Sequence, residues 1–338
     1  MDKRCSLETL PKLRNISLRS ATLAVCLALP ASAVSAKGTF TNFDPPGAVS
    51  TDPTAISNGV IIGYYNDSSG NNHGFIRATD GTFTELASNT RAYSINTRGA
   101  VIGTNYTSNT NGFVIATDGK TTTFNVTGAS STVPYAINDS GAIAGIYVDP
   151  ISFIDHGFVR SRNGTITTFD GPKALATQVW AINNVDQITG TYVDSSHNIH
   201  GFLRAKDGTF TVIDIRGAQQ ADPLSINTAG VIVGTYSDVV NHAFERMPDG
   251  TITTIDPPNA QAAGAYWISD GGKVVGTYEP EGSSSWYGFE YSIRTGKFVT
   301  LIDPDATWLT RPQSVSQNAA AGEYVGSDGA PHGFLYSR

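Results

Sequence analysis

The sequence predicts an all-β fold, namely a seven-bladed β-propeller built from four-stranded blades. Three observations predict it: a repeat of about 43 residues, four strand-like segments in each copy, and half a repeat at either end of the chain once its leader is removed. The repeat follows the pattern H-G-F-x-R-x-x-D-G-T-x-T-x-x-D, then a variable stretch, then A-I-N-x-x-G-x-I-x-G-x-Y-x-D. An unclosed β-solenoid is the alternative, but solenoid coils are shorter and usually need caps.

The number of blades follows from counting the two halves of the repeat. The H-G-F element begins at His73, Asn111, His156, His200, His242, Tyr287 and His332. The turn glycines of the D-G-T element are Gly38, Gly81, Gly119, Gly164, Gly208, Gly250 and Gly296. Both halves of the repeat therefore predict the same number of blades.

Four strands can be assigned in each copy. A-I-N forms the first, V-I-V-G-T-Y the second, H-G-F-L-R-A the third and T-F-T-V-I-D the fourth. These segments are rich in Ile, Val, Thr, Tyr and Phe, which suit a pleated surface. N-x-x-G joins the first strand to the second, and x-D-G joins the third to the fourth. Both turns supply Gly or Asn where the backbone needs a positive φ.

The two ends of the chain predict how the ring closes. After the leader, the chain starts with KGTFTNFD, which is a fourth strand alone, and it ends on PHGFLYSR, which is a third strand alone. We expect the last blade to take three strands from the C-terminal end and its outermost strand from the N-terminal end. Such pairing leaves no open seam between the first and last blades.

Residues 1–36 are predicted to be a secretory signal, and 37–338 the propeller domain. Basic residues precede the apolar run ATLAVCLALP, and the small residues ASAVSA follow it. We expect cleavage after Ala36, with Ala33 as the alternative, and a secreted or periplasmic protein. The apolar run is too short to span a bilayer comfortably, so no membrane span is expected in the mature protein. Cys5 and Cys26 leave with the leader, so no disulfide is expected.

Composition and motifs exclude several classes of function. The chain has a net charge of −7, which argues against nucleic acid as a partner because such binding needs clustered Lys and Arg. No G-x-S-x-G, H-E-x-x-H or P-loop motif occurs in the sequence. We therefore predict no cofactor and no metal site.

The motif H-G-F or H-A-F, combined with A-I-N-x-x-G-x-x-x-G, resembles the repeat of the HAF-repeat family of probable extracellular bacterial proteins. The resemblance covers essentially all of 38–338. It implies export and a repetitive β fold. It implies no particular reaction and no catalytic residues.

The predicted blades have two unlike rims. The short turns N-x-x-G and x-D-G lie together on one side, here called the uniform rim. The longer, irregular connections, such as 170–180 and 194–199, lie on the other side, here called the variable rim. Binding sites concentrate on variable loops held by a rigid frame, so we expect function there. The histidines of the H-G-F element lie on that rim, but their recurrence favours a structural role in loop hydrogen bonds over a metal or acid–base site.

Positions that differ between the copies are better candidates for a ligand site. Charged side chains are expected at the mouth of the central channel: Arg91, Arg311, Asp52 and Asp222. Aromatic side chains are expected just inside it: Tyr93, Tyr135, Trp180 and Tyr266. Trp308 lies on a longer loop of the same rim. The alternative is that the aromatic rings only pack between blades and that Arg–Asp pairs form inter-blade salt bridges, which contribute little.

Two functions remain open from the sequence. Paired cations beside aromatic rings suit an acidic, ring-shaped ligand. The first hypothesis is an exported, monomeric binding or scaffolding module for a polysaccharide or an extracellular or envelope protein, which it holds on the variable rim. The alternative is a secreted polysaccharide lyase or glycoside hydrolase with its site at the channel mouth. A lyase needs a base and cations that neutralise a uronate carboxylate. The candidates for those roles are Arg91, Arg311, Tyr93 and Tyr135.

Overall fold

The computed structural model describes residues 34–35, 38–106 and 110–338 of the chain. Within these ranges the chain forms strands joined by turns, and it contains no helix long and apolar enough to cross a membrane. The predicted signal segment, 1–36, lies outside the described residues except for Val34 and Ser35. The boundary between leader and mature domain therefore stays a prediction.

The strands are numbered in chain order. The first ten are β1 (Val34–Ser35), β2 (Thr39–Phe43), β3 (Ala48–Ser57), β4 (Val60–Asp67), β5 (Asn72–Arg77), β6 (Phe83–Ser88), β7 (Thr90–Ile95), β8 (Val101–Tyr106), β9 (Thr110–Ile115) and β10 (Thr121–Phe124). The next ten are β11 (Ser131–Ile137), β12 (Ile143–Val148), β13 (Asp155–Arg160), β14 (Ile166–Phe169), β15 (Ala176–Ile182), β16 (Ile188–Val193), β17 (Ile199–Arg204), β18 (Phe210–Ile213), β19 (Gln220–Ile226) and β20 (Ile232–Ser237). The last nine are β21 (Asn241–Arg246), β22 (Ile252–Thr254), β23 (Ala260–Ile268), β24 (Lys273–Pro280), β25 (Tyr287–Ser292), β26 (Lys297–Leu301), β27 (Thr310–Val315), β28 (Ala319–Val325) and β29 (Pro331–Ser337).

These strands are arranged in groups of four consecutive antiparallel strands. The groups are β3–β6, β7–β10, β11–β14, β15–β18, β19–β22 and β23–β26, and a further group combines β27–β29 with β2. One parallel bridge between Ser131 and Thr110 joins two of the groups into an eight-stranded sheet. The all-β class and the four-stranded unit predicted from the repeat are therefore confirmed.

The two ends of the chain meet in one sheet. β2 pairs antiparallel with β29, from Thr39 opposite Ser337 to Phe43 opposite Gly333. β29 is also paired with β28, so it is an inner strand of that sheet. The strand pairing that the two half-repeats predict is therefore present.

A short N-terminal strand adds to another sheet. β1 lies parallel to β26, with Val34 opposite Val299 and Ser35 opposite Thr300. It makes the β23–β26 group five-stranded. This small strand falls inside the range that the sequence assigns to the leader.

The phenylalanine of the H-G-F element holds neighbouring sheets together. Its side chain is fully buried in most copies: Phe75, Phe158, Phe202, Phe244, Phe289 and Phe334. Phe202, for example, belongs to one apolar cluster with Ile146 of the preceding sheet and Val179 of its own. Burying one such ring contributes about 1.5–3 kcal/mol, so the repeated phenylalanine is a large part of the core.

The arginine of H-G-F-x-R fills the space between sheets. Its guanidinium lies over a phenylalanine on the fourth strand of the preceding group, at 4.8 Å for Arg77 and Phe43, 4.9 Å for Arg160 and Phe124, and 4.6 Å for Arg204 and Phe169. Such contacts are favourable because the cation faces the negative face of the ring. These arginines are therefore part of the frame.

Candidate functional site

The first strand of each group carries a β-bulge at the position that varies between the copies. In β15, Val179 pairs with Gly190 and Ala181 pairs with Thr189, so Trp180 between them has no partner across the ladder. The same irregularity leaves these residues unpaired on other first strands: Thr54, Tyr93, Tyr135, Tyr266 and Gln313. In β19 it falls between Asp222 and Ser225. A bulge re-aims the extra side chain, so a repeating backbone feature presents the non-repeating residues.

Asp52 is the centre of a hydrogen-bonded set that joins two neighbouring sheets. Its carboxylate accepts hydrogen bonds from the Tyr64 hydroxyl and from the Gln313 side-chain amide, both at 2.6 Å. Gln313 lies on the same strand as Arg311, whose guanidinium is 2.5 Å from a carboxylate oxygen of Glu323. The structure thus brings the predicted residues Asp52 and Arg311 into one region through Gln313, which lies on the same first strand as Arg311.

Arg91 joins this region from the next sheet. Its Nε donates a hydrogen bond to Oδ1 of Asn72 at 2.8 Å. Its guanidinium carbon lies 4.5 Å from the ring centroid of Tyr64 and 5.5 Å from that of Tyr106. The terminal nitrogens of Arg91 make no hydrogen bond in the part of the chain that the structure describes, so they can donate to a ligand.

A row of aromatic side chains continues from Arg91 across three four-stranded groups. The hydroxyls of Tyr93 and Tyr106 are 2.6 Å apart. The ring centroids of Tyr93 and Tyr135 are 5.8 Å apart, and those of Tyr135 and Trp180 are 6.0 Å apart. The indole Nε1 of Trp180 is buried without a hydrogen-bond partner among the described residues. We call the whole set the inner-strand cluster: Asp52, Tyr64, Arg91, Tyr93, Tyr106, Tyr135, Trp180, Arg311, Gln313 and Glu323.

The other predicted site residues lie elsewhere. Both carboxylate oxygens of Asp222 accept hydrogen bonds from the Gln220 amide at 2.7 Å. The Tyr266 hydroxyl is 2.7 Å from Oγ1 of Thr277. Trp308 is exposed in the loop between β26 and β27. The hydrogen bonds of Asp222 and Tyr266 are therefore to residues outside the inner-strand cluster.

Burial shifts the protonation of the cluster. It raises the pKa of Glu323 to about 7, against the opposing charge of Arg311 and with a smaller contribution from Asp52. Burial, followed by the charge of Asp52, raises the pKa of Tyr64 well above its usual range, and burial does the same for Tyr93. The cluster therefore combines one carboxyl group that exchanges a proton near neutrality with the hydroxyls of Tyr64 and Tyr93, which keep theirs.

The first strands also converge on a central cavity at the uniform rim. Its volume is about 550 Å³. An apolar ring lines it: Ile56, Ile95, Ile137, Ile182, Ile226, Ile268 and Val315. A polar ring follows: Asn58, Thr97, Asp139, Asn184, Thr228, Asp270 and Gln317.

Many of the polar groups around this cavity are already paired. The backbone N–H groups of Thr97, Asp139 and Thr228 donate to the side chains of Asp139, Asn184 and Asp270, at 2.7–2.9 Å. The Asn58 amide donates to the Thr97 carbonyl at 2.9 Å. These bonds run from one sheet to the next, so this ring belongs to the frame.

The histidines of the repeat make the loop hydrogen bonds that the sequence predicts. Nδ1 lies 2.6–3.0 Å from a carboxylate in five copies: His73, His156, His200, His242 and His332. Each ring also packs on the tyrosine of the second strand, with centroids 4.9–5.3 Å apart. Among the described residues, no group of three or more His, Cys, Asp or Glu side chains is placed to hold a metal ion.

Comparison with solved structures identifies the architecture. The β-propeller domain of the Trilobed protease from Pyrococcus furiosus, which has an open velcro topology, is similar with a TM-score of 0.66 and 12% identity over 86% of this chain and 95% of that one. The fold is a β-propeller. An acylaminoacyl peptidase is similar with a TM-score of 0.63 and 13% identity over 86% of this chain, which spans about half (51%) of that protein. An oligogalacturonate lyase from Vibrio parahaemolyticus has a TM-score of 0.58 and 10% identity, over 91% and 98% of the two chains.

These likenesses concern the propeller fold and no activity, because the identities are low. No protein-family model matches the chain, and no curated protein sequence matches it.

Four members of the inner-strand cluster were not predicted from the sequence: Tyr64, Tyr106, Gln313 and Glu323. Gln313 lies at the bulge of a first strand, and the other three lie on second strands. Tyr64 and Glu323 replace the smaller Thr or Ile that stands at the same place in the other copies, opposite the first-strand residue. An alignment of the second strands alone would have singled out both residues as departures from the repeat.

Proposed function

We propose that this chain is an exported, closed, seven-bladed β-propeller that serves as a binding module for a saccharide held at the inner-strand cluster. Closure is supported by the β2–β29 pairing and by the hydrogen bond from the Ile56 amide to the Ser314 hydroxyl, at 3.3 Å, between the N-terminal and C-terminal sheets. The blade number is supported by the central cavity, to which the first strand of every four-stranded group contributes.

Export rests on the predicted signal segment, which directs the protein to the periplasm or to the outside of the cell. The resemblance to the HAF-repeat family fits this proposal, because it implies an exported repeat protein. The short pairing of Val34 and Ser35 with β26 survives processing after Ala33 and is lost on processing after Ala36.

The observation that carries the saccharide proposal is the aromatic row that runs from Arg91 to Trp180. A sugar ring has an apolar face that packs on aromatic side chains and hydroxyl oxygens that accept hydrogen bonds. The row consists of such rings in contact with one another, and it ends on the unpartnered indole N–H of Trp180. A buried donor without a partner costs about 1–3 kcal/mol, and a ligand hydroxyl would offset that cost.

The charges of the cluster favour a neutral saccharide. Arg311 is paired with Glu323, and the carboxylate of Asp52 lies in the same set. Two carboxyl groups thus accompany the two guanidinium groups of Arg91 and Arg311. The acidic ligand expected from paired arginines alone would have to approach the carboxylate of Asp52 and the carboxyl of Glu323, and each repels an anion when it is ionised.

Titration calorimetry with neutral oligosaccharides, amino-sugar oligomers and polyuronates tests the proposal. We expect the mature protein to bind a neutral or amino-sugar oligomer and to bind polyuronates more weakly. Trp180→Phe removes the indole donor and keeps an aromatic ring. It should weaken binding about tenfold, since one hydrogen bond contributes about 1 kcal/mol and shape complementarity adds to it.

Tyr266→Phe is the matched control. It removes a hydroxyl group at the equivalent bulge of a sheet that contributes no residue to the cluster. The hydroxyl of Tyr266 is hydrogen-bonded to Thr277 there. Its saccharide affinity should equal that of the wild type. The proposal fails if no class of oligosaccharide binds, or if the two variants lose affinity equally.

A carbohydrate-active enzyme is the second candidate, and Glu323 favours it. Its carboxyl is buried against Arg311 with a pKa near neutrality, which suits an acid or base in hydrolysis or elimination. The same binding mixtures decide between the candidates. Oligosaccharides recovered intact support a binding module, whereas shortened products that disappear in Glu323→Gln support an enzyme.

A further inference from the structure

Exposed apolar side chains are concentrated on the variable rim. The eleven large apolar side chains that are exposed in the described part of the chain are Val49, Tyr106, Ile151, Phe153, Leu175, Val185, Val212, Val239, Val240, Ile302 and Trp308. All except Val185 and Val212 lie at strand ends or in loops of the variable rim. Soluble proteins rarely gather exposed apolar groups on one face without a partner for them, so the distribution indicates an interaction surface.

Phe153 is the clearest case. It lies in the loop between β12 and β13 with 76% of its surface exposed, and Ile151 beside it is 87% exposed. Its φ of +57° is in the left-handed region, which costs a bulky residue about 1–3 kcal/mol. An exposed ring recovers little of that cost through burial. This side chain therefore does not stabilise the isolated protein.

A concave feature lies on the next two four-stranded groups along the rim. A groove of about 240 Å³ is lined by Asn198, Ile199, His200, Asp214, Ile215, Ala218, Gln219, Gln220 and Ala221. The Gln219 side chain donates a hydrogen bond to the Asp238 carbonyl at 2.9 Å, which ties the groove to the next loop. That loop presents Val239, 95% exposed, and Val240. A concave surface and an apolar tip are thus adjacent.

The apolar groups are surrounded by negative charge. The loops and strand ends of the variable rim carry Asp44, Asp67, Asp149, Asp155, Asp170, Asp194, Asp214, Asp238, Asp256, Glu279, Glu281, Asp303, Asp305 and Asp328. Lys173 and Arg216 are the cations in those loops within the described ranges, and Arg91 and Arg311 lie near the variable-rim ends of first strands. Protonation of the loop histidines reduces the charge without reversing it. Such a surface attracts cations and repels polyanions.

We propose that the variable rim docks a second protein whose contact surface combines Lys or Arg with apolar side chains. The exposed apolar side chains supply the contact area, and the carboxylates select the basic partner and steer its approach. An uncharged polysaccharide gains little from the carboxylates, and a polyuronate is repelled by them. Apart from Tyr106, which belongs to both sets, this docking face uses residues other than the inner-strand cluster, so it adds a second function to the saccharide site.

The test uses the mature protein and a synthetic peptide of alternating Lys and Leu, with a Glu and Leu peptide of equal length for comparison. Fluorescence anisotropy measures the affinity at several salt concentrations. The Lys–Leu peptide should bind, and added salt should weaken it. Phe153→Asn, and the double variant Val239→Ser with Val240→Ser, should each lower the affinity about fivefold or more through lost apolar contact.

Val185→Ser is the matched control, because Val185 is 50% exposed on the uniform rim. Its affinity should not change. Phe153→Asn should also keep or raise the melting temperature, because Asn tolerates the left-handed backbone better than Phe. Equal binding of the Glu–Leu peptide, unchanged affinity in both rim variants, or an equal loss in Val185→Ser would overturn the proposal. Saccharide affinity should persist in the rim variants, and its loss there would show that the two sites are not separate.

Discussion

At the scale of single residues, the glycine of I-x-G-x-Y explains how the inner strand can bulge. An added Cβ there would lie 1.9–2.2 Å from a carbonyl oxygen of the first strand in every copy: Gly63, Gly103, Gly145, Gly190, Gly234, Gly276 and Gly322. Only glycine permits so close an approach of the two backbones. Glycine therefore recurs at this position in every copy of the repeat, and its small size permits the bulge at which the neighbouring first-strand side chain varies.

Gly190→Ala should accordingly be severe. The new methyl group would meet the Gln178 carbonyl oxygen at 2.0 Å and the Phe202 ring at 2.7 Å, and neither a backbone nor a fully buried ring can move aside easily. We expect a loss of about 3 kcal/mol or more, at the upper end of overpacking effects. Urea unfolding followed by tryptophan fluorescence measures it.

Gly271→Ala is the control for that substitution. Its nearest neighbour would be the Ser269 hydroxyl at 3.7 Å, an ordinary contact in an exposed turn. The free energy of unfolding should stay within about 1 kcal/mol of the wild type, because Ala also restricts the unfolded chain. Similar losses in the two variants would contradict the bulge argument.

At the scale of elements, β29 is the strand on which both ends of the chain depend. It pairs with β2 on one side and with β28 on the other. Phe334 and Tyr336 are buried, and the Tyr336 hydroxyl accepts a hydrogen bond from the Gly38 amide at 3.1 Å. The Pyrococcus furiosus propeller has an open velcro topology, whereas here the N-terminal strand is paired into the C-terminal sheet.

Truncations test this pairing. Deleting 331–338 removes two buried aromatic side chains, and each loss lowers the free energy of unfolding by about 3–5 kcal/mol. The deletion also leaves β2 without the strand with which it pairs. That loss is comparable with the whole stability of a typical domain, so we expect aggregation or a large drop in melting temperature. Deleting 1–44 should cause a smaller drop, because three strands of that sheet remain.

A deletion of 1–37 serves as the control, since it leaves β2 intact. Its melting temperature should match that of the full-length protein. Differential scanning calorimetry compares the three proteins. If the protein without 331–338 melts like the full-length one, β29 does not close the ring.

At the scale of the whole molecule, the loop charges make stability depend on pH. Burial favours neutral histidine, but the hydrogen bonds and charges of the neighbouring carboxylates outweigh it and raise the pKa of His73, His200 and His332. Hydrogen bonds, first from the Asn198 amide, lower the pKa of Asp194 to about 2. The folded state therefore holds protons on histidine more tightly and protons on the loop carboxyls less tightly than the unfolded state.

The directions of these pKa shifts determine the pH range in which the folded protein should be most stable. The histidines contribute fully to the stability of the folded state below about pH 6.5, and this contribution is lost as the pH rises through their raised pKa values. The raised pKa of Glu323 has an effect in the same direction, because its contribution is also lost as the pH rises. The aspartate contribution is complete above about pH 4 and is lost as the pH falls through the lowered values. The melting temperature should therefore be highest between about pH 4.5 and 6.5.

Thermal unfolding at constant ionic strength, from acid to mildly alkaline buffers, measures this profile. Replacing His73, His200 and His332 together by Gln should flatten its alkaline side. His197→Asn, in an exposed loop outside the H-G-F element, should leave the profile unchanged. A melting temperature that rises steadily toward pH 8 would contradict the assignment.

Much of the frame was predictable, because short-range rules create the repeat. The N-x-x-G and x-D-G turns, the alternating strands and the buried phenylalanines all recur at fixed spacing, and the pairing of KGTFTNFD with PHGFLYSR follows from completing a repeat. The candidate site was predictable only in part. Asp52, Arg91 and Arg311 stood out as departures from the repeat, but Tyr64 and Glu323 lie on second strands, where they contact Asp52 and Arg311 across the ladder.

The sequence by itself determined the all-β class, the four-stranded unit and the strand order, because these depend on local periodicity and turn chemistry. Only the tertiary structure decided which non-repeating side chains meet. Tyr135 and Trp180 are neighbours in the cluster, but they are more than forty residues apart along the chain. Asp52 and Gln313, which are hydrogen-bonded, are 261 residues apart. Their contacts depend on how bulged inner strands from different sheets converge, and that convergence is a property of packing between sheets.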